Sequence, residues 1–214
     1  TVYLSGSGGT NFGSSGIYHA ANATTTTAAL DLQNNMIFNM CTPSGTGIVT
    51  AYRRSSGVAS MLANYASASN KNLFYAGTPG ASNLIYSDGA SSAQTMAAYQ
   101  AGAFTAGTVA ARDANSFTES AFTPSTYFVS TTGSNANYLQ PASGLSTQAE
   151  SGGNTITMCS PDYNGVTRPG SGANAYDVGA WEFNGAVCTA PTSLAATASS
   201  TAQTTTTISG AFTA

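Results

Sequence analysis

Few residues in this chain can move a proton or hold an ion. Its 214 residues include five Lys or Arg, eight Asp or Glu and one His. Hydrolysis of a glycosidic bond needs two carboxyl groups about 5–10 Å apart, one as acid and one as base or nucleophile. Asp113 and Glu119 are the nearest upstream pair, and the polar sequence around them reads as a loop. His19 has no recognisable partner and reads as a surface or strand residue. Cys41, Cys159 and Cys188 are too few and too far apart for a disulfide framework; three cysteines allow one bridge at most, Cys159–Cys188 with Cys41 buried. Neither a C-x-x-C nor an H-x-x-x-H pair occurs, so no metal site is expected. No G-x-S-x-G elbow or phosphate-binding loop is present, and no cofactor is expected.

One set of charged residues does fall into a pattern. Asp162-Tyr163-Asn164-Gly165-Val166-Thr167-Arg168 is followed by Asp177-Val178-Gly179-Ala180-Trp181-Glu182-Phe183. Asn164-Gly165 is a tight-turn pair. Arg168 can form a bidentate pair with Asp177 or Glu182, and such a pair, once buried, ties the segments together. Asp162, Gly165, Arg168, Asp177, Gly179 and Glu182 therefore read as a structural cap, with Trp181 and Phe183 closing the end of a core.

The elements that position these residues are short. Val2-Tyr3-Leu4, Met36-Ile37-Phe38, Ile48-Val49, Leu73-Phe74-Tyr75 and Leu84-Ile85-Tyr86 are brief apolar bursts between Gly, Ser, Asn and Pro, as strands are. Asn34-Asn35-Met36-Ile37-Phe38 recurs loosely as Asn70-Lys71-Asn72-Leu73-Phe74; aligning Ile37 with Leu73 gives a period of 36, within the range of stacked repeats. An Asn before such a strand suits a left-handed turn and can bond its counterpart in the next coil. One helix is expected over Ser92–Ala101, capped by Ser91 or Ser92 and ended by Gly102, with Met96 and Tyr99 on its apolar stripe. Strand-like pieces are expected at Thr126–Ser130 and Asn154–Met158.

Composition narrows the function. Charged residues make up 6% and the formal charge is −3, which excludes a basic nucleic-acid surface. No run approaches the length of an apolar membrane span. Hydroxyl-rich, weakly charged strands suit an extracellular or cell-surface protein. The chain opens on Thr1-Val2-Tyr3-Leu4 without a leader, so it reads as a mature or partial chain.

The D-x-x-G-x-x-R…D-[IV]-G-A-x-E-[FY] pattern resembles the closing segment of right-handed parallel β-helix proteins secreted by Bacteroidota-like bacteria. The Asn-Asn-x-Ile-Phe strand, the Met96–Tyr99 helix followed by Arg112–Ser116, and Gln148–Gly153 are similar to the same family. Val166 departs from it, since a second acidic residue is usual there, and Ser120-Ala121-Phe122 stands where Asp-Pro and an aromatic residue are usual. The resemblance implies an all-β, right-handed parallel β-helix (a solenoid) over residues 1–186, with a C-terminal cap and one short helix. Residues 187–214 would be a linker and the start of a β-sandwich module that resembles fibronectin type III. It also implies type IX secretion.

The expected function is a non-catalytic structural or adhesive segment of a large secreted bacterial surface protein. Its partners would be other domains of that protein, neighbouring subunits or glycans. Two alternatives stand beside it. A carbohydrate-active β-helix, lyase or glycoside hydrolase, would need clustered carboxylates; Arg53, Arg54 and Lys71 supply cations for a lyase, but Asp31 and Asp88 stand apart. A glycan-binding module would need an exposed aromatic row, for which Tyr65, Tyr75 and Tyr86 are the candidates.

Overall fold

A computed structural model describes residues 1–22, 29–58, 64–102, 112–169 and 175–187. Two parallel sheets form from strands that return at intervals of 34 to 37 residues. In the first, β1 (Val2–Leu4), β3 (Met36–Asn39) and β5 (Leu73–Tyr75) lie side by side. In the second, β2 (Ser14–His19), β4 (Val49–Arg54) and β6 (Asn83–Ser87) do the same, and β7 (Ser92–Ala93) then joins antiparallel. The register pairs Met36 with Leu73 and Ile37 with Phe74, so the structural period is one residue longer than the Ile37–Leu73 alignment suggests.

The turns into the first sheet explain that register. Asn34 and Lys71 both sit at φ 58°, the left-handed region, immediately before Asn35 and Asn72. Asn35 donates from its backbone N and its Nδ2 to Oδ1 of Asn72, at 3.0 and 3.1 Å. Asn72 donates onward to the carbonyl of Leu32 and to Asp113, both at 2.8 Å. Each bond satisfies a polar group that burial would otherwise leave costly.

Alternate residues of the first sheet serve two different cores. Ile37 and Phe74 face the second sheet and pack with Val49, Ala51, Tyr52, Tyr65, Tyr86 and Tyr99. Met36, Phe38, Leu73 and Tyr75 face the other way and pack with Phe117, Phe122, Tyr127, Phe128, Leu139 and Val178. The chain after Phe117 therefore folds back over the sheet's outer face. There it forms a short helix α2 (Pro124–Tyr127), a small parallel pair of β8 (Ser146–Thr147) with β9 (Ala186–Val187), and a 3-10 turn at Thr157–Cys159.

This arrangement overturns the expected all-β parallel β-helix. The described residues are mixed α/β, with parallel and mixed sheets and few helices, and they do not close into a solenoid. The physical reason lies in the outer face of β3 and β5. In a closed solenoid that face meets water, whereas Met36, Phe38 and Leu73 are fully buried here under the C-terminal layer. The antiparallel β7 also ends the parallel stacking of the second sheet.

The helical expectations change too. Ser92 and Ala93 are strand, and helix α1 spans Met96–Gln100, with Thr95 as the N-cap accepting from the Ala98 amide at 3.2 Å. Met96 and Tyr99 are its buried residues. The Thr126–Ser130 piece holds the end of α2 and two isolated bridges, and Asn154–Met158 runs into the 3-10 turn. The proposed fibronectin-like start beyond Val187 and the partner cysteine Cys188 lie outside the described residues. Among the described residues Cys41 and Cys159 are free thiols, buried and exposed respectively. No helix of the described residues is long and apolar enough to cross a membrane.

Candidate functional site at the closing motif

The closing motif docks on the start of β3 and is held by charge. Arg168 Nη1 lies 2.8 Å from Glu182 Oε1, and the two side chains are only 7% and 4% exposed. The pair is single rather than bidentate. The guanidinium instead spends its other donors on two backbone carbonyls, those of Asp177 at 3.0 Å and Gly179 at 2.9 Å. Its Cζ lies over the Tyr176 ring, 5.9 Å from the centroid.

The carboxylates of the motif accept from backbone amides. Asp177 takes Ser151 N at 2.7 Å and Phe183 N at 2.7 Å, while its own N donates to Glu182. Asp162 takes Asn164 N and Val166 N on Oδ1, both at 2.8 Å, and Glu182 N on Oδ2 at 2.9 Å. Burial pushes the Asp177 carboxyl up to about 7 against the pull of its two amides, with Glu182 and Glu150 adding repulsion. Gly179, at φ 110°, lets its amide reach the Asn34 carbonyl at 2.8 Å; a Cβ there would meet Met36 Sδ at 2.9 Å. Gly165, at φ 83°, makes the turn between Asp162 and Val166. The six cap residues thus form one connected network. Trp181 packs on Tyr163 at 5.2 Å between centroids and donates to the Tyr138 carbonyl.

A cleft of about 440 Å³ opens beside this network. Gln33, Asn34, Asn35, Tyr163, Arg168 and Tyr176 are among the residues lining it. Much of its polar lining is committed to the fold: Asn34 donates to and accepts from Asn154, both at 2.8 Å, and the Asp162 oxygens are occupied as above. The Tyr163 side chain, by contrast, is 70% exposed.

A second polar centre lies inside the core between the two parallel sheets. Asp113 is fully buried and accepts four side-chain bonds: Tyr65 at 2.5 Å and Tyr99 at 2.6 Å on Oδ2, Asn72 at 2.8 Å and Ser116 at 2.6 Å on Oδ1. Burial raises its carboxyl, and the four donors oppose that shift. His19 also has a partner that sequence gave no sign of: Nδ1 lies 2.8 Å from the Tyr52 hydroxyl, with the rings stacked. Burial, then the Arg54 charge, lowers its pKa to about 4.

Several expected roles fail on this geometry. Tyr65 and Tyr86 are fully buried and Tyr75 nearly so, so they make no exposed aromatic row for a glycan. Tyr65 and Tyr86 bond Asp113 and Asp88, while Tyr75 packs against Phe122. Asp113 and Glu119 belong to separate hydrogen-bond networks, Glu119 accepting from Thr147 at 2.5 Å and Tyr127 at 3.2 Å in the second core. Asp31 is held by Gln33 and Ser69, and Asp88 by Tyr86 and the Ala90 and Ser91 amides. Arg53 lies over the exposed Tyr18 ring at 6.0 Å. Among the described residues no group of three His, Cys, Asp or Glu could hold a metal ion.

Comparison with family models, with curated proteins and with solved structures gives no match for this chain.

Proposed function

We propose that this chain is a non-catalytic structural segment of a large secreted bacterial surface protein. The observation that carries the reading is where its scarce charge goes. Arg54, Asp88, Asp113, Glu150, Asp162 and Asp177 are buried, as are the side chains of Arg168 and Glu182. The bonds of Asp113, Asp162 and Asp177 tie one stretch of chain to another, and those of Asp88 fix a turn. A catalytic carboxyl needs open access to a substrate and a partner at working distance. Groups used as internal ties leave the exterior to Ser, Thr, Asn and Gly, which suits an extracellular stalk that meets neighbouring domains, subunits or glycans.

The test is turnover. The full chain is incubated with neutral and uronic-acid polysaccharides while reducing ends and unsaturated products are followed. No product above the buffer blank is expected. Product formation abolished by Asp113→Asn or Glu119→Gln would overturn the reading.

The cleft at the closing motif favours glycan contact as a second reading. Tyr163 presents an exposed ring backed by Trp181 in the wall of the cleft. Sugar rings stack on such a face. Titration of a neutral oligosaccharide panel, followed by Tyr163 ring resonances, tests it; a panel without shifts would remove it.

A further inference from the structure

The chain contains two Asn-Gly pairs in nearly identical local sequence, Tyr163-Asn164-Gly165-Val166 and Phe183-Asn184-Gly185-Ala186. An Asn-Gly pair converts spontaneously when the backbone N of the glycine attacks Cγ of the asparagine. That C–N bond closes a succinimide ring and ammonia leaves. Water then opens the ring at either carbonyl, giving aspartate or isoaspartate with no change in oxidation state. Unfolded, the two pairs have matched reactivity, since each is preceded by an aromatic residue and followed by a small or branched aliphatic one.

Their folded surroundings differ. Gly185 N donates to Glu150 Oε2 at 2.7 Å, a charge-assisted bond to a buried carboxylate. Its backbone is also hemmed in, because a Cβ at Gly185 would meet the Leu145 carbonyl at 2.8 Å and Phe183 at 2.8 Å. The Asn184 carbonyl is pinned by the Gly144 amide at 2.8 Å. Losing the Gly185 proton beside a carboxylate is opposed by charge, and moving the Gly185 nitrogen toward Asn184 breaks a strong bond. At the other pair, Gly165 N has a single neutral bond to the Asp162 carbonyl at 3.1 Å. Nothing lies within 4 Å of the Cβ position of Gly165. Both asparagines are exposed, so the contrast lies at the glycine nitrogen and not at the side chain.

We propose that Asn164 is a site of spontaneous deamidation in the folded protein and that Asn184 is protected by Glu150. The modification acts on the closing motif. An isoaspartate at 164 adds a backbone carbon inside the turn that brings the 164 and 166 amides to Asp162, and the same residue adds a carboxylate beside it. The closing segment then loosens with age.

The test uses the intact chain at mildly alkaline pH and 37 °C, with peptide mass spectrometry following the gain of about 1 Da at each pair over days. A parallel sample is held unfolded in urea. In the folded chain the Asn164 peptide should convert about ten-fold or more faster than the Asn184 peptide, the expected effect of one charge-assisted bond. In urea the two rates should converge. Equal rates in the folded chain, faster conversion at Asn184, or a ratio that survives unfolding would each overturn the proposal.

Discussion

Tyr65 donates its phenolic proton to Asp113 Oδ2 at 2.5 Å across a sequence separation of 48 residues. Tyr99 shares the same oxygen, and Asn72 and Ser116 share the other. One carboxylate therefore joins helix α1, the turn before β5, the Tyr65 segment and the entry to the second core. Asp113→Ala strands four buried donors at once and should cost about 3–5 kcal/mol in urea unfolding. Tyr99→Phe removes one donor and leaves the carboxylate served by three, so about 1 kcal/mol is expected.

Phe38 anchors the C-terminal layer to the first sheet. Its ring stacks on Phe122 at 4.1 Å between centroids and meets Tyr127 at 5.0 Å and Phe128 at 5.5 Å. Phe38→Ala should cost about 3–5 kcal/mol. Its effect on amide exchange should be largest over residues 117–150, with α1 and the second sheet moved least. Uniform acceleration across both cores would show instead that the two layers open as one unit.

Two buried groups respond to acid in opposite senses. His19 titrates near 4 in the fold against 6.5 when unfolded, so its contribution is complete above pH 6.5 and is lost as pH falls toward 4. Asp177 titrates near 7 against 3.8, so its ionisation weakens the fold as pH rises from about 4 to 7. Between pH 5 and 6.5 the two slopes oppose each other, each at most about 1.4 kcal/mol per pH unit. Urea midpoints of the parent should change little over that window. His19→Phe should become more stable on acidification, and Asp177→Ser less stable. The same slope in all three proteins would contradict both assignments.

The legible parts of this sequence were local. Asn35 and Asn72 stand out as amides before apolar bursts, and they meet across the register. The spacing of Asp162, Arg168, Asp177 and Glu182 marks groups that need one another, although which carboxylate takes the guanidinium was not readable. It depends on Asp177 being claimed by the Ser151 and Phe183 amides. The covering of the first sheet departs from the expected solenoid. Met36-Ile37-Phe38 is apolar without alternation, which is the mark of a strand buried on both faces. The tyrosines misled because a Tyr ring serves equally on a surface and in a core. What decides is a buried acceptor such as Asp113, which is distant in sequence.

The closing clasp offers the most direct test of the idea that this protein's charge is internal structure. Glu182→Leu leaves the Arg168 guanidinium at 7% exposure without its carboxylate, and should cost about 3–5 kcal/mol in denaturant unfolding. Adding Arg168→Met removes the stranded charge and should restore part of that loss, a coupling read from the double-mutant cycle. A Glu182→Leu chain as stable as the parent, or a pair of losses that simply add, would contradict the account.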